Sequence, residues 1–433
     1  MTVADLLSRR ARSGDRPAFV EGATGRTLTW PEIEARMAGI EAGSRTAMTL
    51  RSLDPLETIA TFVAAVAASV PVVPSDPTSP AAAVPVLPPP GAAVVMTSSG
   101  TTGRPKVIPL TEAQLLHTAR SVVEHHRLGS EDRGYSPLPL SHINALVVGV
   151  LSTLVAGSTL VVDRRFSRRA FWSTIEAYEV TWINAVPGII SVLAGDLPPD
   201  PAVSRRVRFV RSASAPLAPA VRERFEALCR IGVLETYGMT EAASQITANP
   251  LCEGERRQGS VGQPVGVEVR IVRPHDRRPM PAGSVGEVEI RGPSVAAASP
   301  EDWLATADLG RLDADGFLYL AGRADDVINR GGEKVYPGEV ERVLLADPRV
   351  AAAAVVGRPH PVVGEEPVAF VVAATDATEP SVLVHDLSRR CEVALSRFKV
   401  PAEVTVADAL PAGPTGKVRR AALRRSLLSR SPA

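Results

Sequence analysis

Aromatic side chains are only 4% of the 433 residues, and cysteine occurs three times. So few aromatics leave little flat surface on which nucleic-acid bases could stack. Cys229, Cys252 and Cys391 are far apart and odd in number, which excludes a disulfide framework or a clustered zinc site and fits a reducing compartment. An excess of charge of one sign is also lacking. Forty-eight basic against forty-seven acidic residues leave a net charge of +1, so no long-range field draws in a nucleic acid or an anionic membrane. The N-terminus meets charges before any apolar run of signal-peptide length develops, and the expectation is a cytoplasmic protein without an export signal. The uncharged stretch from Ala145 to Val162 approaches the lower limit of about 18 residues for a membrane span. Gly149, Ser152, Thr153, Gly157, Ser158 and Thr159 dilute it, so it reads as buried helix, turn and buried strand, with no membrane span.

What is present is an ordinary globular composition, 45% hydrophobic and 22% charged, in a chain about three times the roughly 150-residue prior for one domain. Two or more domains are expected. Residues 1–323 alternate apolar strand-like runs with helical segments. Ser167 to Tyr178 reads as a helix that the serine could cap, and Val180 to Val186 reads as a strand. The last hundred residues read as a compact α+β unit: a helix from Pro337 to Ala346, strands at Val350 to Val356 and Val368 to Ala373, and a helix from Val382 to Leu395. Leu423 and Leu427 suggest a terminal amphipathic helix whose arginines are solvated.

Lysine is scarce as well. Only Lys106, Lys334, Lys399 and Lys417 stand among the forty-eight basic residues. A position that must set one compact ammonium against a phosphate or carboxylate oxygen resists exchange with the broad guanidinium fork, so each lysine is a candidate. Lys106 ends the run Thr97, Ser98, Ser99, Gly100, Thr101, Thr102, Gly103, Arg104, Pro105, Lys106, which follows the apolar run from Ala92 to Met96. Small hydroxyls and glycines let a loop close on phosphate oxygens with backbone and hydroxyl donors, and a terminal lysine adds charge. This reads as a triphosphate grip. Its spacing is not that of a Walker loop, because Lys106 follows Pro105 and precedes Val107.

Farther along stand Glu235 to Glu241 (ETYGMTE), Thr306-Ala307-Asp308, Gly322-Arg323-Ala324-Asp325-Asp326 and Pro414-Thr415-Gly416-Lys417. In this order, with the run ending at Lys106, they resemble the adenylate-forming superfamily of acyl-CoA synthetases, standalone adenylation domains and luciferases, from about Leu28 to Arg425. Within it, Arg211 to Leu217 (RSASAPL) and Ile328 to Lys334 (INRGGEK) look most like ligases of the oxalyl-CoA synthetase type. The resemblance implies an α/β fold: a large N-terminal domain of layered helices and sheets over residues 1–323, with a reduced first subdomain of about 1–96, and a small mobile α+β domain over 324–433. Relatives usually carry longer sections between Pro77 and Thr97 and between Ser294 and Ala305, so this is a shortened member.

The resemblance also implies roles. ATP, Mg²⁺ and coenzyme A become the cofactors and co-substrates. Tyr237 would stack on adenine, with Ser214, Ala215 and Pro216 as the other wall of the slot and Gly238 and Met239 beside it. Thr240 would hydrogen-bond the α-phosphate, and Glu241 would hold Mg²⁺, a hard cation bound by one or two carboxylates plus phosphate oxygens. Asp308 would accept both ribose hydroxyls and Arg323 would meet the ribose from the far side; the family usually writes Thr-Gly-Asp where this chain has Thr306-Ala307-Asp308. Lys417 would reach between the substrate carboxylate and the α-phosphate. Asp325 would be the hinge about which the small domain turns, bringing Gly331 and Gly332 to line a thiol tunnel.

The acid is less defined. Amino-acid adenylating domains place an aspartate where this chain reads Pro139-Leu140-Ser141-His142-Ile143-Asn144, so an acid without an α-amine is expected. His142 matches a family histidine beside or gating the acyl pocket. Asn144, Ser212, Ser244 and Gln245 would give that pocket a polar lining, suited to a short or hydroxylated acid. Oxalyl-type relatives carry histidine where this chain has Ser244, which argues against oxalate itself. The leading expectation is an ATP-dependent acid:CoA ligase working through an acyl-adenylate. The alternatives are a standalone enzyme that loads a carrier protein and a degenerate, inactive paralogue.

Overall fold

The computed structural model describes residues 1–44, 46–78, 88–99, 105–374, 379–411 and 418–428. Its centre is a nine-stranded sheet. In spatial order the strands are Gln263–Pro264, Ser244–Ala248, Val233–Met239, Phe209–Ser212, Trp182–Ala185, Arg133–Ser136, Thr159–Val162, Pro17–Glu21 and Thr27–Thr29. The run from Val233–Met239 to Pro17–Glu21 is parallel throughout, and antiparallel strands close both ends. Three of the inner strands, Thr159–Val162, Trp182–Ala185 and Phe209–Ser212, are buried at every position, as a sheet covered on both faces requires.

Alternate residues of these strands enter two separate cores. Leu160, Trp182, Phe209 and Leu234 face one, which contains the helices Pro55–Ala67 and Glu112–His126. Val161, Ile183, Val210 and Val233 face the other, with Phe171, Ile190 and Phe225 from the helices Phe171–Ala177, Pro187–Leu193 and Pro219–Cys229. This two-sided alternation decides which polar side chains on the same strands can meet.

The stretch from Ala145 is a buried helix and strand, as its composition implies. Its first seven residues, Ala145–Leu151, are π-wound before the α-helix Ser152–Ala156, and Gly157 at φ +72° ends the helix ahead of Thr159–Val162. The helix expected from Ser167 starts at Phe171, because the Ser167 hydroxyl accepts from the backbone of Ala170 in the preceding turn. Among the described residues no helix is long and apolar enough to cross a membrane.

A second sheet runs Met48–Leu50, Val72–Pro74, Ala92–Ser99, Pro105–Thr111, and its third strand crosses the expected subdomain edge near residue 96. A third is the antiparallel meander Glu268–Val272, Gly286–Arg291, Leu304–Leu312, Leu318–Arg323. Beyond it Ile328–Arg330, Glu333–Val335, Val350–His360, Gly364–Ala373 and Glu403–Val406 form a five-stranded sheet. The helices Pro337–Leu345 and Pro380–Ala394 pack Val340, Leu344, Leu383 and Leu387 against this sheet in a core of its own.

The last helix, Arg420–Leu428, buries Leu423 and Leu427 as their spacing suggests. Its arginines are not all solvated. Arg424 donates to Asp326 at 2.8 Å and Arg420 to Glu341 at 2.6 Å, because both acids stand opposite the helix and a half-buried guanidinium needs a counter-charge.

Candidate active site

Most of the candidate residues gather where the parallel strands of the large sheet reach their carboxyl ends, the edge at which open α/β sheets hold ligands. Phe209–Ser212 ends in Ser212 and leads to Ser214, Ala215 and Pro216, with Ser214 at φ +75° turning the chain. The neighbouring Val233–Met239 carries Tyr237, Gly238 and Met239 into a short 3-10 turn, Thr240–Ala242, that holds Glu241. Ala243 and Ser244, at φ +51° and +105°, reverse the chain into Ser244–Ala248. Gly238 is required by this reversal, since a Cβ there would lie 1.5 Å from the Ser244 carbonyl oxygen.

The nucleotide residues form one chain of polar contacts. The Tyr237 hydroxyl donates to Asp308 Oδ2 at 2.5 Å. Asp308 lies directly opposite Arg323 in the meander, and Arg323 Nη1 donates to Asp308 Oδ1 at 3.3 Å. The same guanidinium donates through Nε to Asp325 Oδ1 at 3.1 Å. The adenine, ribose and hinge candidates are therefore in series. Asp308, expected to accept ribose hydroxyls, accepts here from Tyr237 and Arg323. Burial, then the Asp308 charge, holds the Tyr237 hydroxyl well above its ordinary range, so it remains a donor. Ala307 occupies the left-handed region at φ +59°, where the family's glycine would be unstrained.

The phosphate candidates lie on the adjoining sheet. Thr97, Ser98 and Ser99 are the end of the strand Ala92–Ser99, paired with Val107, Lys106 and Pro105 on the return strand, so they flank a hairpin and are not loop residues. Gly100, Thr101, Thr102 and Gly103 lie outside the described residues, as does Lys417. The ammonium of Lys106 donates to Glu241 Oε1 at 3.1 Å, which joins the end of the phosphate run to the expected Mg²⁺ carboxylate. Ala296 and Thr118 hold the backbone oxygens of Glu241 and Ala242 and fix the turn.

The acyl candidates Asn144, Ser212, Ser244 and Gln245 are all buried. His142 sits in the turn before the π-helix, its N–H donating to Pro139 and its carbonyl accepting from Leu146. The group that joins several of them was not anticipated. Arg211 is 1% exposed, and its Nη1 donates to the side-chain oxygens of Asn144 and Asn184, both at 3.1 Å, while Nη2 donates to that of Gln245 at 3.2 Å. Asn184 stands beside it in register on the next strand and donates to Asn144 at 3.3 Å. No carboxylate pairs with Arg211 among the described residues, and burial alone drives its guanidinium down, to about 9. Among the described residues Arg211 Nε, Asn144 Nδ2, Gln245 Nε2 and Ser212 Oγ, all buried, have no hydrogen-bond partner. A charged residue inside the apolar run Phe209, Val210, Arg211 was the available signal in the sequence; its partners at 144, 184 and 245 gave none.

Gly331 and Gly332, far along the chain, form the two-residue turn between Ile328–Arg330 and Glu333–Val335. Both have positive φ, at +62° and +93°, so the hairpin by itself accounts for the glycine pair.

Residues 84–298 match the AMP-binding enzyme family and residues 339–417 match its C-terminal domain. The chain is 43% identical over 355 residues to a sulfoacetate–CoA ligase of Cupriavidus necator, a match covering 78% of this chain and 68% of that one. It is 38% identical over 347 residues to an oxalate–CoA ligase of Arabidopsis thaliana, covering 77% of this chain and 67% of that one. The chain thus spans about two thirds of these relatives' length. In structure it resembles O-succinylbenzoate coenzyme A synthetase from Bacillus subtilis, in complex with ATP and a magnesium ion, with a TM-score of 0.80 and 26% identity over 98% of this chain and 99% of that one. These likenesses establish that the chain belongs to the AMP-binding enzyme family and is an AMP-forming acid–thiol ligase, using ATP and Mg²⁺ to activate a carboxylic acid for transfer to coenzyme A.

Proposed function

We propose that the acid is short and polar, and that the residues gathered at the sheet edge divide the work as follows. Tyr237 and the Ser214 to Pro216 segment form the adenine slot, and Asp308 with Arg323 takes the ribose. Thr240 and the run from Thr97 to Lys106 receive the phosphates. A carboxylate oxygen of the acid attacks the α-phosphorus, the bond to pyrophosphate breaks, and Lys417 offsets the charge the two anions share as they approach. The thiolate of coenzyme A then attacks the acyl carbon and the bond to AMP breaks.

The observation that carries this reading is the contact of Lys106 with Glu241. It sets an ammonium against the carboxylate, and that pairing suits a site where a cation and phosphate oxygens exchange places with a lysine. A cation at Glu241 would take its other ligands from water and phosphate oxygens, as Mg²⁺ does. Mg²⁺ bound there would screen the phosphate charge. The relatives named for sulfoacetate and oxalate act on short polar acids, which agrees with the buried polar lining of Asn144, Ser212, Ser244 and Gln245.

We place the moving unit at residues 324–433, turning about Asp325, with Gly331 and Gly332 near the thiol; the large unit is 1–323. The two half-reactions test the whole assignment. Lys417→Ala should abolish pyrophosphate release from ATP and acid, a loss on the order of 10² to 10³ or more, yet spare thioester formation from supplied acyl-adenylate. Equal loss in both steps removes Lys417 from the adenylation site. Supplying a carrier protein in place of coenzyme A in the second step identifies the acceptor.

A further inference from the structure

A buried guanidinium held only by neutral amides is an unusual expenditure of free energy. Removing a cation from water costs several kcal/mol even after relaxation, and three amide oxygens return only part of that. A core that needed only to be filled would use an apolar residue, as it does at Phe209 and Val210 on the same strand. The sheet geometry explains why no acid of the neighbouring strand neutralises it. Arg211 is in register with Leu234 and Ser212 with Glu235, so Glu235 projects from the opposite face and pairs there with Arg222 at 3.1 Å.

The donors left over are grouped. Three of the five guanidinium N–H bonds have acceptors, and Nε has none. Asn144 and Gln245 turn their oxygens to Arg211 and, among the described residues, leave their amide nitrogens unpartnered. Every one of these groups can donate a hydrogen bond, and they surround a positive charge. Such a set of donors suits an anion, and it includes Asn144 and Gln245, which we assign to the acyl pocket.

We propose that Arg211 is a specificity-determining residue of this ligase, and that it selects acids carrying a second anionic group, a carboxylate or sulfonate, besides the carboxylate that is adenylated. This rests on the reading of the pocket given above. The second anion supplies the counter-charge the fold withholds from Arg211, and Asn144 and Gln245 donate the remaining hydrogen bonds. An acid with an amide or alcohol in place of that group leaves the cation uncompensated and is discriminated against.

The test compares matched acids on the full-length enzyme with ATP, Mg²⁺ and coenzyme A, reading pyrophosphate release: two- and three-carbon dicarboxylates and sulfocarboxylates, each against its mono-amide or sulfonamide. The wild type should favour the doubly charged acid in kcat/KM by roughly 100-fold or more, as sites with buried polar groups discriminate. In Arg211→Gln the preference should collapse, through a raised KM for the dianion with little change for the amide, and Arg211→Lys should restore part of it. A wild type that treats both acids alike overturns the proposal, as does an Arg211→Gln variant that loses both activities in equal proportion while keeping its circular dichroism. Where Arg211→Gln does not fold, the wild-type comparison and Arg211→Lys decide. Pyrophosphate release without discrimination overturns the role of Arg211 alone; no release with any acid overturns the ligase reading beneath it.

Discussion

The two halves of the site handle charge in opposite ways. On the proposed nucleotide side the described charged groups have opposite partners: Lys106 with Glu241, Asp308 with Arg323, Arg323 with Asp325. On the proposed acyl side Arg211 has amides and, among the described residues, no carboxylate. Lys106 is well exposed, and a pair of that kind contributes only about 0 to 1 kcal/mol, so its members can leave each other for phosphate or metal at little cost. The buried Arg211 has no water to fall back on. In the proposed assignment the nucleotide side suits exchange, since the same groups would meet ATP, then AMP, then open solvent. The acyl side is built for discrimination, because an uncompensated charge raises the free energy of every occupant except one that neutralises it.

The strongest way to break this comparison on the nucleotide side is Asp308→Asn. It removes an anion that serves Tyr237 and Arg323 and that we assign to the ribose. Loss of a charge-assisted contact of about 1.5 to 3 kcal/mol should raise the KM for ATP by roughly 10- to 150-fold. Because Asp308 is tied to Arg323 and Tyr237 and Arg211 to Asn144, Asn184 and Gln245, the KM for the acid should stay within about twofold. Isothermal titration with ATP and steady-state kinetics in the acid check the two halves separately. A parallel rise in both would mean that the two regions are one coupled network.

Glu235 sharpens the comparison from the other side, as a carboxylate on the strand beside Arg211. Burial pushes it up to about 7, against the opposing pull of Arg222. The folded protein therefore binds its proton more tightly than the unfolded chain, whose glutamates titrate near about 4.3. Its contribution to stability is fully present below that value and is lost as pH rises towards 7. Glu235→Gln removes this dependence while keeping an acceptor for Arg222. The melting temperature of the variant relative to wild type should rise between pH 5 and pH 8. A difference that is flat with pH would show that the carboxylate is ionised without cost in the fold.

How much of this was legible beforehand follows from the range of the interactions. The helix from Pro337, the strand from Val350 and the turn at Gly157 are written in local periodicity and in proline and glycine, so they could be read within a residue or two at their starts. The start at Phe171 was missed because a serine that closes a turn and a serine that caps a helix look alike in sequence. The nucleotide candidates could be named because they sit in short motifs, and the fold brings Tyr237, Asp308 and Arg323 into contact, and Lys106 with Glu241. The set of Asn144, Asn184, Arg211 and Gln245 was not legible, because three strands and a helix start bring it together. The partners of Arg420 and Arg424 were hidden for the same reason: amphipathic spacing says which face is wet, but not that Asp326 and Glu341 wait opposite it.

The smallest expected effect is at Ala307, between the buried Thr306 and the ribose candidate Asp308. A non-glycine residue at φ +59° carries a strain of about 1 to 2 kcal/mol, because Cβ crowds the following carbonyl. Ala307→Gly relieves that strain, but it also gives the unfolded chain more freedom to lose, which costs about 0.4 to 1 kcal/mol. The difference leaves a net gain of about 0 to 1.6 kcal/mol, a rise of at most a few degrees in melting temperature. The KM for ATP should not move, because the backbone N–H of Asp308 is held by the Thr306 hydroxyl at 3.1 Å and that hydroxyl is anchored on the carbonyl of Val288 at 2.9 Å. Thermal melts and ATP titrations of the variant test both statements. A weakened ATP affinity with an unchanged melting temperature would mean that the strained alanine, more than the Thr306 clamp, is what aims Asp308 at the nucleotide.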